Sequence, residues 1–163
     1  MIYQKAKLFW KVQNQQKKVF CIPFDDKSDY YTFLKEYHTN GYKQIILTSE
    51  FISYLMEYFA IEKKILVYKI EFMEEDTDLS EEINRLLYLV SVEKIYFSKL
   101  MEHIRFLSEK SSIDIKRVYF KGRNIKKDAV NFYLQANGII GVDRGNYEEI
   151  SNIIKNQAME KLL

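Results

Sequence analysis

Apolar and polar residues alternate near the start of the chain: Ala6, Leu8, Trp10 and Val12 are separated by Lys5, Lys7, Phe9 and Lys11. Successive strand residues point to opposite faces, so this pattern predicts a half-buried β-strand with Lys5, Lys7, Phe9 and Lys11 on its solvent side. Asn14-Gln15-Gln16 reads as a turn and residues 18–23 as a second strand, giving an N-terminal hairpin. The period then changes. Tyr30, Phe33, Leu34 and Tyr37 recur at i, i+3, i+4 and i+7. That is one face of a helix, capped by Asp25 or Asp26 and stopped by Gly41. Residues 44–48 read as a short buried strand. Ser49 then caps a second helix, with Phe51, Tyr54, Leu55 and Tyr58 on one face.

Residues 63–72 predict a longer strand with Leu66, Tyr68, Ile70 and Phe72 on one face. The acid run 71–78 reads as an exposed loop. A helix should follow from Ser80, with Glu81 and Glu82 in its first turn and Ile83, Leu86, Leu87 and Val90 inward. Residues 94–97 read as a strand and residues 99–110 as a helix. In residues 115–121, Arg117, Tyr119 and Lys121 share one strand face and Val118 and Phe120 the other; Lys116 breaks the pattern, as at a strand end. Residues 122–127 form a basic loop with Arg123, Lys126 and Lys127. Asn137-Gly138 lies between two apolar runs, which predicts a tight hairpin over residues 131–142 with positive φ at both turn residues. The last helix starts at Asn146 and turns Tyr147, Ile150, Ile154 and Leu162 inward. Glu148 and Glu149 at its start, with Lys155 and Lys161 towards its end, suit the helix dipole.

Strands alternate with helices through the middle of this pattern. The expected fold is therefore α/β (or α+β): a mixed β-sheet with a parallel centre and antiparallel hairpins at both ends, flanked by about five helices. A length of 163 residues fits one globular domain, with a possible subdivision near Asp78.

Charge changes this picture more than composition does. Residues 1–20 carry a net +5, residues 21–80 a net −6, and residues 113–130 a net +4, within a chain of net +2. The chain has basic ends around an acidic middle. Its 13 Tyr and 11 Phe supply rings beside those charges. Lys5, Lys7, Phe9 and Lys11 on one strand, and Arg117, Tyr119 and Lys121 on another, combine cations with aromatic rings. Sheets that bind single-stranded nucleic acid use these parts, cations on phosphates and a ring under a base. Arg123, Lys126 and Lys127 extend the second set. The competing explanation is that lysines on edge strands block edge-to-edge pairing.

Other chemistry has weaker support in the residues. Cys21 is the one cysteine, so no intrachain disulfide forms, and its apolar neighbours suggest a buried strand. A cytoplasmic location is expected, with no membrane association, because the apolar runs are far below the roughly 20 residues needed to span a bilayer. The first 12 residues lack the features of a signal peptide. Gly138, Gly141 and Gly145 match neither phosphate-loop nor dinucleotide spacing, though Gly145 before Asn146 leaves a weak anion site. His38 and His103 stand far apart without ligand-spaced partners, so no metal is expected. Glu74, Glu75, Asp76 and Asp78 lack the glycine and final glutamate of a calcium loop. Ser49 and Ser98 follow expected strands but lack a nucleophile-elbow sequence. The expected function is thus a non-catalytic binding protein without a cofactor, contacting nucleic acid or another polyanion through its basic, aromatic strand faces. The alternative is a protein–protein interaction or regulatory domain, possibly homodimeric.

Overall fold

A computed structural model describes residues 2–74 and 76–163. Among them are seven strands. They are β1 (Tyr3–Gln13), β2 (Gln16–Phe24), β3 (Lys43–Gln44), β4 (Leu66–Phe72), β5 (Ile115–Arg123), β6 (Ala129–Gln135) and β7 (Ile139–Asp143). The five α-helices are α1 (Tyr30–Thr39), α2 (Ser49–Tyr58), α3 (Thr77–Val92), α4 (Tyr96–Ser111) and α5 (Tyr147–Leu162). None of these helices is long and apolar enough to cross a membrane. The chain divides into two compact units. One contains residues 1–46 and 137–163; the other is the intervening residues 47–136, with Asp78 inside it.

In the first unit, β1 pairs antiparallel with β2 along one edge, and with β7 and β3 along the other. The β1–β2 hairpin closes through a two-residue turn, Asn14-Gln15, with φ of 50° and 66° and Gln13 opposite Gln16. Positive φ at both central positions matches the right-handed twist of paired strands. That geometry was expected at Asn137-Gly138. There only Gly138 has positive φ, at 84°, and the chain passes from β6 to β7 through the wider turn 136–138. Helix α1 is capped by Asp29, not by Asp25 or Asp26: its carboxylate accepts from Tyr31 N and Thr32 Oγ1. Asp25 instead accepts from the backbone N–H groups of Lys27 and Ser28. Gly41, with φ of 88°, follows the helix end as expected. In α5, Ile150 and Ile154 are buried, whereas Leu162 is exposed.

In the second unit, β4, β5 and β6 form an antiparallel meander with β5 in the middle. Helix α2 runs from a Thr48 cap into a π-helical turn over Phe59–Lys63, closed by Lys64 in the left-handed region. Phe59 thereby reaches the sheet, with its ring centroid 5.4 Å from Phe120 and 4.9 Å from Phe132. Helices α3 and α4 follow in sequence and pack on each other. Ile83, Leu86, Leu87 and Val90 are the buried face of α3, as their spacing predicts.

The expected parallel centre is absent: among the described residues the β1–β2, β1–β3, β1–β7, β4–β5 and β5–β6 pairings are all antiparallel. Two of the strands needed for parallel crossovers do not form as read. In the run 44–48 only Gln44 is in a strand; Leu47 and Ile45 are buried through irregular backbone, and Thr48 begins a helix. Residues 94–95 are a turn, and Tyr96 and Phe97 are the first residues of α4. A short apolar run has the same hydrophobic signature in a strand and at a helix end, so periodicity alone does not separate the two. Without those strands, α3 and α4 follow each other as a helical pair.

Candidate nucleic-acid interface

The β4–β5–β6 sheet has two different faces. Ile70, Phe72, Val118, Phe120, Phe132 and Leu134 are buried on the core face. Phe120 and Phe132 stack there at 4.4 Å and 8°. Period-two alternation assigns the opposite face to Arg117, Tyr119 and Lys121 on β5. The register sets Lys69 beside Tyr119 and Glu71 beside Arg117 on β4. On β6, Tyr133 lies beside Tyr119 and Gln135 beside Arg117.

One tyrosine from each strand makes a row across this face. The ring centroids are 6.0 Å apart for Tyr68–Tyr119 and 5.9 Å apart for Tyr119–Tyr133. Cations lie on the rings: Lys121 Nζ 4.9 Å from the Tyr68 centroid, Lys69 Nζ 5.2 Å from Tyr119, and the Arg117 guanidinium 4.9 Å from Tyr133. Arg117 also donates to Tyr119 Oη and Gln135 Oε1, and Tyr119 donates to Glu71. Lys69 approaches Glu71 at 3.6 Å. Arg117 is therefore held in a network and Tyr133 is buried beneath it, while Tyr68, Lys69 and Lys121 are exposed. Arg117 Nε is buried without a hydrogen bond.

Two bulges shape this surface. The β4–β5 register slips between Val67 and Lys69, leaving Tyr68 out of the ladder. A bulge adds one residue to one strand and re-aims its side chains. Tyr68 accordingly leaves the face of Ile70 and Phe72, where alternation had placed it, and becomes 40% exposed. The second slip, between Glu71 and Phe72, passes over Lys116. Lys116 is thus an exposed bulge residue inside β5, not its end. Gly122 is also required: a Cβ there would lie 2.8 Å from Ile65 Cγ1 and 3.0 Å from its Cα. Arg123 belongs to β5 and donates to the Lys127 carbonyl; Lys126 and Lys127 are exposed in the turn 124–128.

The first basic set does not form an open face. Phe9 is buried among Phe33, Tyr37 and Tyr42, at 5.4–6.0 Å between ring centroids. Lys7 is fully buried and donates from Nζ to the Asn137 carbonyl; loss of solvent lowers its pKa to about 8. Lys5 pairs with Asp26 at 2.7 Å, and Lys11 lies 4.6 Å from the Tyr42 centroid. The strand alternates as its sequence predicts, but the face expected to meet solvent is covered at Lys7 and Phe9. Helix α1 and Tyr42 cover the face that carries the lysines, because its aromatic face needs a partner. Elsewhere in this unit, Lys17 and Lys43 each lie 5.0 Å from the Trp10 centroid, an arrangement that sequence spacing did not suggest.

The remaining candidates have structural partners. Ser49 is not a cap. Its hydroxyl donates to Asp114 at 3.0 Å and accepts from Ile115 N at 2.9 Å, and Ser108 donates to the same carboxylate. Asp143 accepts from Asn146 N and Nδ2, so a carboxylate already occupies the suggested anion position after Gly145. Asp76 caps α3, Glu74 and Asp78 are exposed, and Glu75 is outside the described residues. Among the described residues no group of three His, Cys, Asp or Glu side chains is placed to hold a metal. Cys21 is half-buried with Sγ 3.9 Å from Tyr147 Oη, and burial pushes its thiol up to about 11. His38 is exposed at the end of α1, and Ser98 bonds the Ile95 carbonyl within the first turn of α4.

No family model, curated protein or solved structure matches this chain.

Proposed function

We propose that this is a non-catalytic binding protein that holds single-stranded nucleic acid on the outer face of β4, β5 and β6. The tyrosine row Tyr68–Tyr119–Tyr133, with cations against each ring, is the observation that supports the reading. Stacking on aromatic rings accepts any base, and lysine or arginine beside the ring meets the phosphate. Another polyanion would use the cations but would gain nothing from the rings. A reducing, cytoplasmic setting belongs to the same reading, since Cys21 has no intrachain partner cysteine.

Fluorescence anisotropy with a labelled single-stranded 12-mer over a salt series tests it. Lys69, Lys121 and Arg123 replaced together by Ala should flatten the log–log salt slope by roughly 0.7 per lost phosphate contact. Tyr119→Ala should weaken binding by about 1–3 kcal/mol without changing the slope, because stacking releases no counterion. Substituting Lys63, Lys64 and Arg85, which are exposed elsewhere on the unit, should do neither. Equal losses from the two cation sets would mean diffuse attraction with no platform.

A second reading rests on exposed apolar side chains. Tyr88, Val92 and Ile95 near the end of α3, and Phe106 on α4, are 56–71% exposed. Exposed apolar side chains such as these are available to an interaction surface. A homodimer or protein partner would use it. A monomer by light scattering at both low and high salt and at high protein concentration counts against the homodimer.

A further inference from the structure

Between the outer edge of β4 and helix α3 lies a cavity of about 340 Å³. Leu66, Val67 and Tyr68 line it from the strand, and Asn84, Leu87, Tyr88, Val90 and Ser91 from the helix; Lys121 completes it from β5. Of the lining residues Leu87 and Val90 are buried, while Tyr68 and Tyr88 are 40% and 67% exposed. The Val67–Lys69 bulge is what frees Tyr68 from the ladder and leaves its ring against this space. The same ring belongs to the tyrosine row, so the cavity is continuous with the proposed platform.

We infer that this cavity is a subsite for one nucleotide of the bound strand, its base between the tyrosines and its phosphate at Lys121. The inference rests on the platform reading and deepens it. Four features fit a nucleotide together. The apolar lining and two rings accept a flat heterocycle by burial and stacking. The Asn84 amide offers both donors and an acceptor, as the edge of a base requires, and Ser91 adds a hydroxyl. Lys121 Nζ lies over the Tyr68 ring, 4.9 Å from its centroid, and supplies a cation at the cavity for the phosphate of a stacked nucleotide. The volume is near the lower limit for small-molecule pockets, about 300 Å³, which suits one nucleotide and not two. An acidic peptide would meet Lys121 but would leave the rings and the amide unused.

The discriminating residues are Asn84 and Tyr88. Both are exposed on α3, outside the sheet face, and neither is needed for the platform. A 5-iodouridine-substituted single-stranded 12-mer is the probe, read by anisotropy and by photocrosslink mapping. Tyr88→Ala, and Asn84→Trp to fill the cavity, should each weaken binding by about 5- to 150-fold, the span of base–aromatic stacking. Melting temperature and salt slope should stay at the unmodified values. Crosslinks should fall on Tyr68 or Tyr88, and Asn84→Trp should remove them. If the unmodified protein binds the 12-mer, the variants bind equally well and crosslinks map only to Tyr119, the subsite is refuted and the platform stands. If the unmodified protein does not bind the 12-mer at low salt, the platform reading fails and the subsite with it. Uridine monophosphate distinguishes a free nucleotide from one in a strand. Binding of the monophosphate that Asn84→Trp abolishes supports the same subsite chemistry. Displacement of the 12-mer from the unmodified protein, but not from Asn84→Trp, by poly-glutamate would assign the cavity to an acidic peptide and overturn the inference.

Discussion

Lys7 should make stability depend on pH in the alkaline direction. It is the largest fully buried side chain of β1 and has no exposed surface. Its ammonium has one protein acceptor among the described contacts, the Asn137 carbonyl, and no carboxylate. Burial without a counter-charge penalises the protonated form, which lowers the pKa from 10.5 to about 8. In the unfolded chain the amine titrates near its ordinary value. Between about pH 8 and 10.5 the unfolded state therefore binds more protons than the native state, and stability must rise with pH through that window. Below it both states are charged and the full penalty is present. The total is about 3 kcal/mol, and about 2 kcal/mol of it is recovered between pH 7 and pH 9.5.

The perturbation is Lys7→Met, which keeps an unbranched chain and removes the charge. Asn137 is exposed, so water can take the freed carbonyl. Urea unfolding of both proteins at several pH values gives the difference directly. At pH 7 the variant should be the more stable, and that advantage should shrink by about 2 kcal/mol by pH 9.5. Effects of the tyrosines and Cys21 are common to both proteins and cancel in the comparison. Parallel stability curves, constant within about 0.5 kcal/mol, would mean that the ammonium is solvated in the native state and that the burial argument is wrong.

Three further changes probe the frame. Gly138→Ala should cost roughly 2–5 kcal/mol in urea unfolding: φ is 84°, and a Cβ would overlap the Ile45 carbonyl oxygen and lie 2.9 Å from Lys7 Nζ. An unchanged midpoint would refute the turn geometry. Gln15→Gly should be neutral or stabilise by up to about 1 kcal/mol, because glycine accepts the positive φ while costing some unfolded-chain entropy; a clear loss would exclude the two-residue turn at Asn14-Gln15. Ser49→Ala should cost about 1–3 kcal/mol by leaving the buried Ile115 N–H without its acceptor, whereas Ser98→Ala, in an exposed turn, should cost much less. Equal losses would show that the Ser49 hydroxyl is not a pin.

Local rules served well where one chemical cause acts alone. The helix stop at Gly41, the inward face of α3, the acidic start of α5 and the alternation of β1 and β5 were all legible, because each is a local pattern of φ preference, spacing or charge. What failed depended on a partner. Alternation in β1 separates Lys7 from Leu8 but does not say which face α1 will cover. The run 94–97 is apolar enough for a strand, but it is too short for its period to distinguish a strand from the entrance to a helix, which it is. Register slips are invisible to periodicity, so Tyr68 was placed with Ile70 and Phe72 and missed as a site residue. Tyr133 and Lys69 were missed for a related reason: neither stands out in its own segment, and both enter the site through cross-strand pairing with Tyr119.

That pairing would also change the strength of the two attractions at the proposed platform, in opposite directions. The segment containing β5 is net +4, but β4 comes from the acidic part of the chain and sets Glu71 beside Arg117 and within 3.6 Å of Lys69. The second unit as a whole contains 14 basic and 15 acidic residues, so it offers no long-range positive field. The β4 strand, by contrast, adds the exposed ring of Tyr68 beside Tyr119 of β5, whereas Tyr133 of β6 is buried against Arg117. Binding on this face should therefore be governed more by stacking than by charge. Arg117 is committed to Gln135 and Tyr119, so on the proposed reading the exposed Lys69, Lys121 and Arg123 would be the groups to meet phosphates. With two or three neutralised phosphates, the log–log salt slope for a single strand should be about −1.4 to −2.1. A protein bound mainly by charge would show a slope beyond about −4, with six or more phosphates engaged. Anisotropy titrations from 50 to 300 mM salt, on the order of the range over which such slopes are read, separate the two cases. A slope near −2 that persists in Tyr119→Ala, with only the affinity reduced, is the result the geometry requires. A slope beyond −4 would place the contact on another basic surface, such as Lys17 and Lys43 around Trp10, and remove the tyrosine row from the binding site.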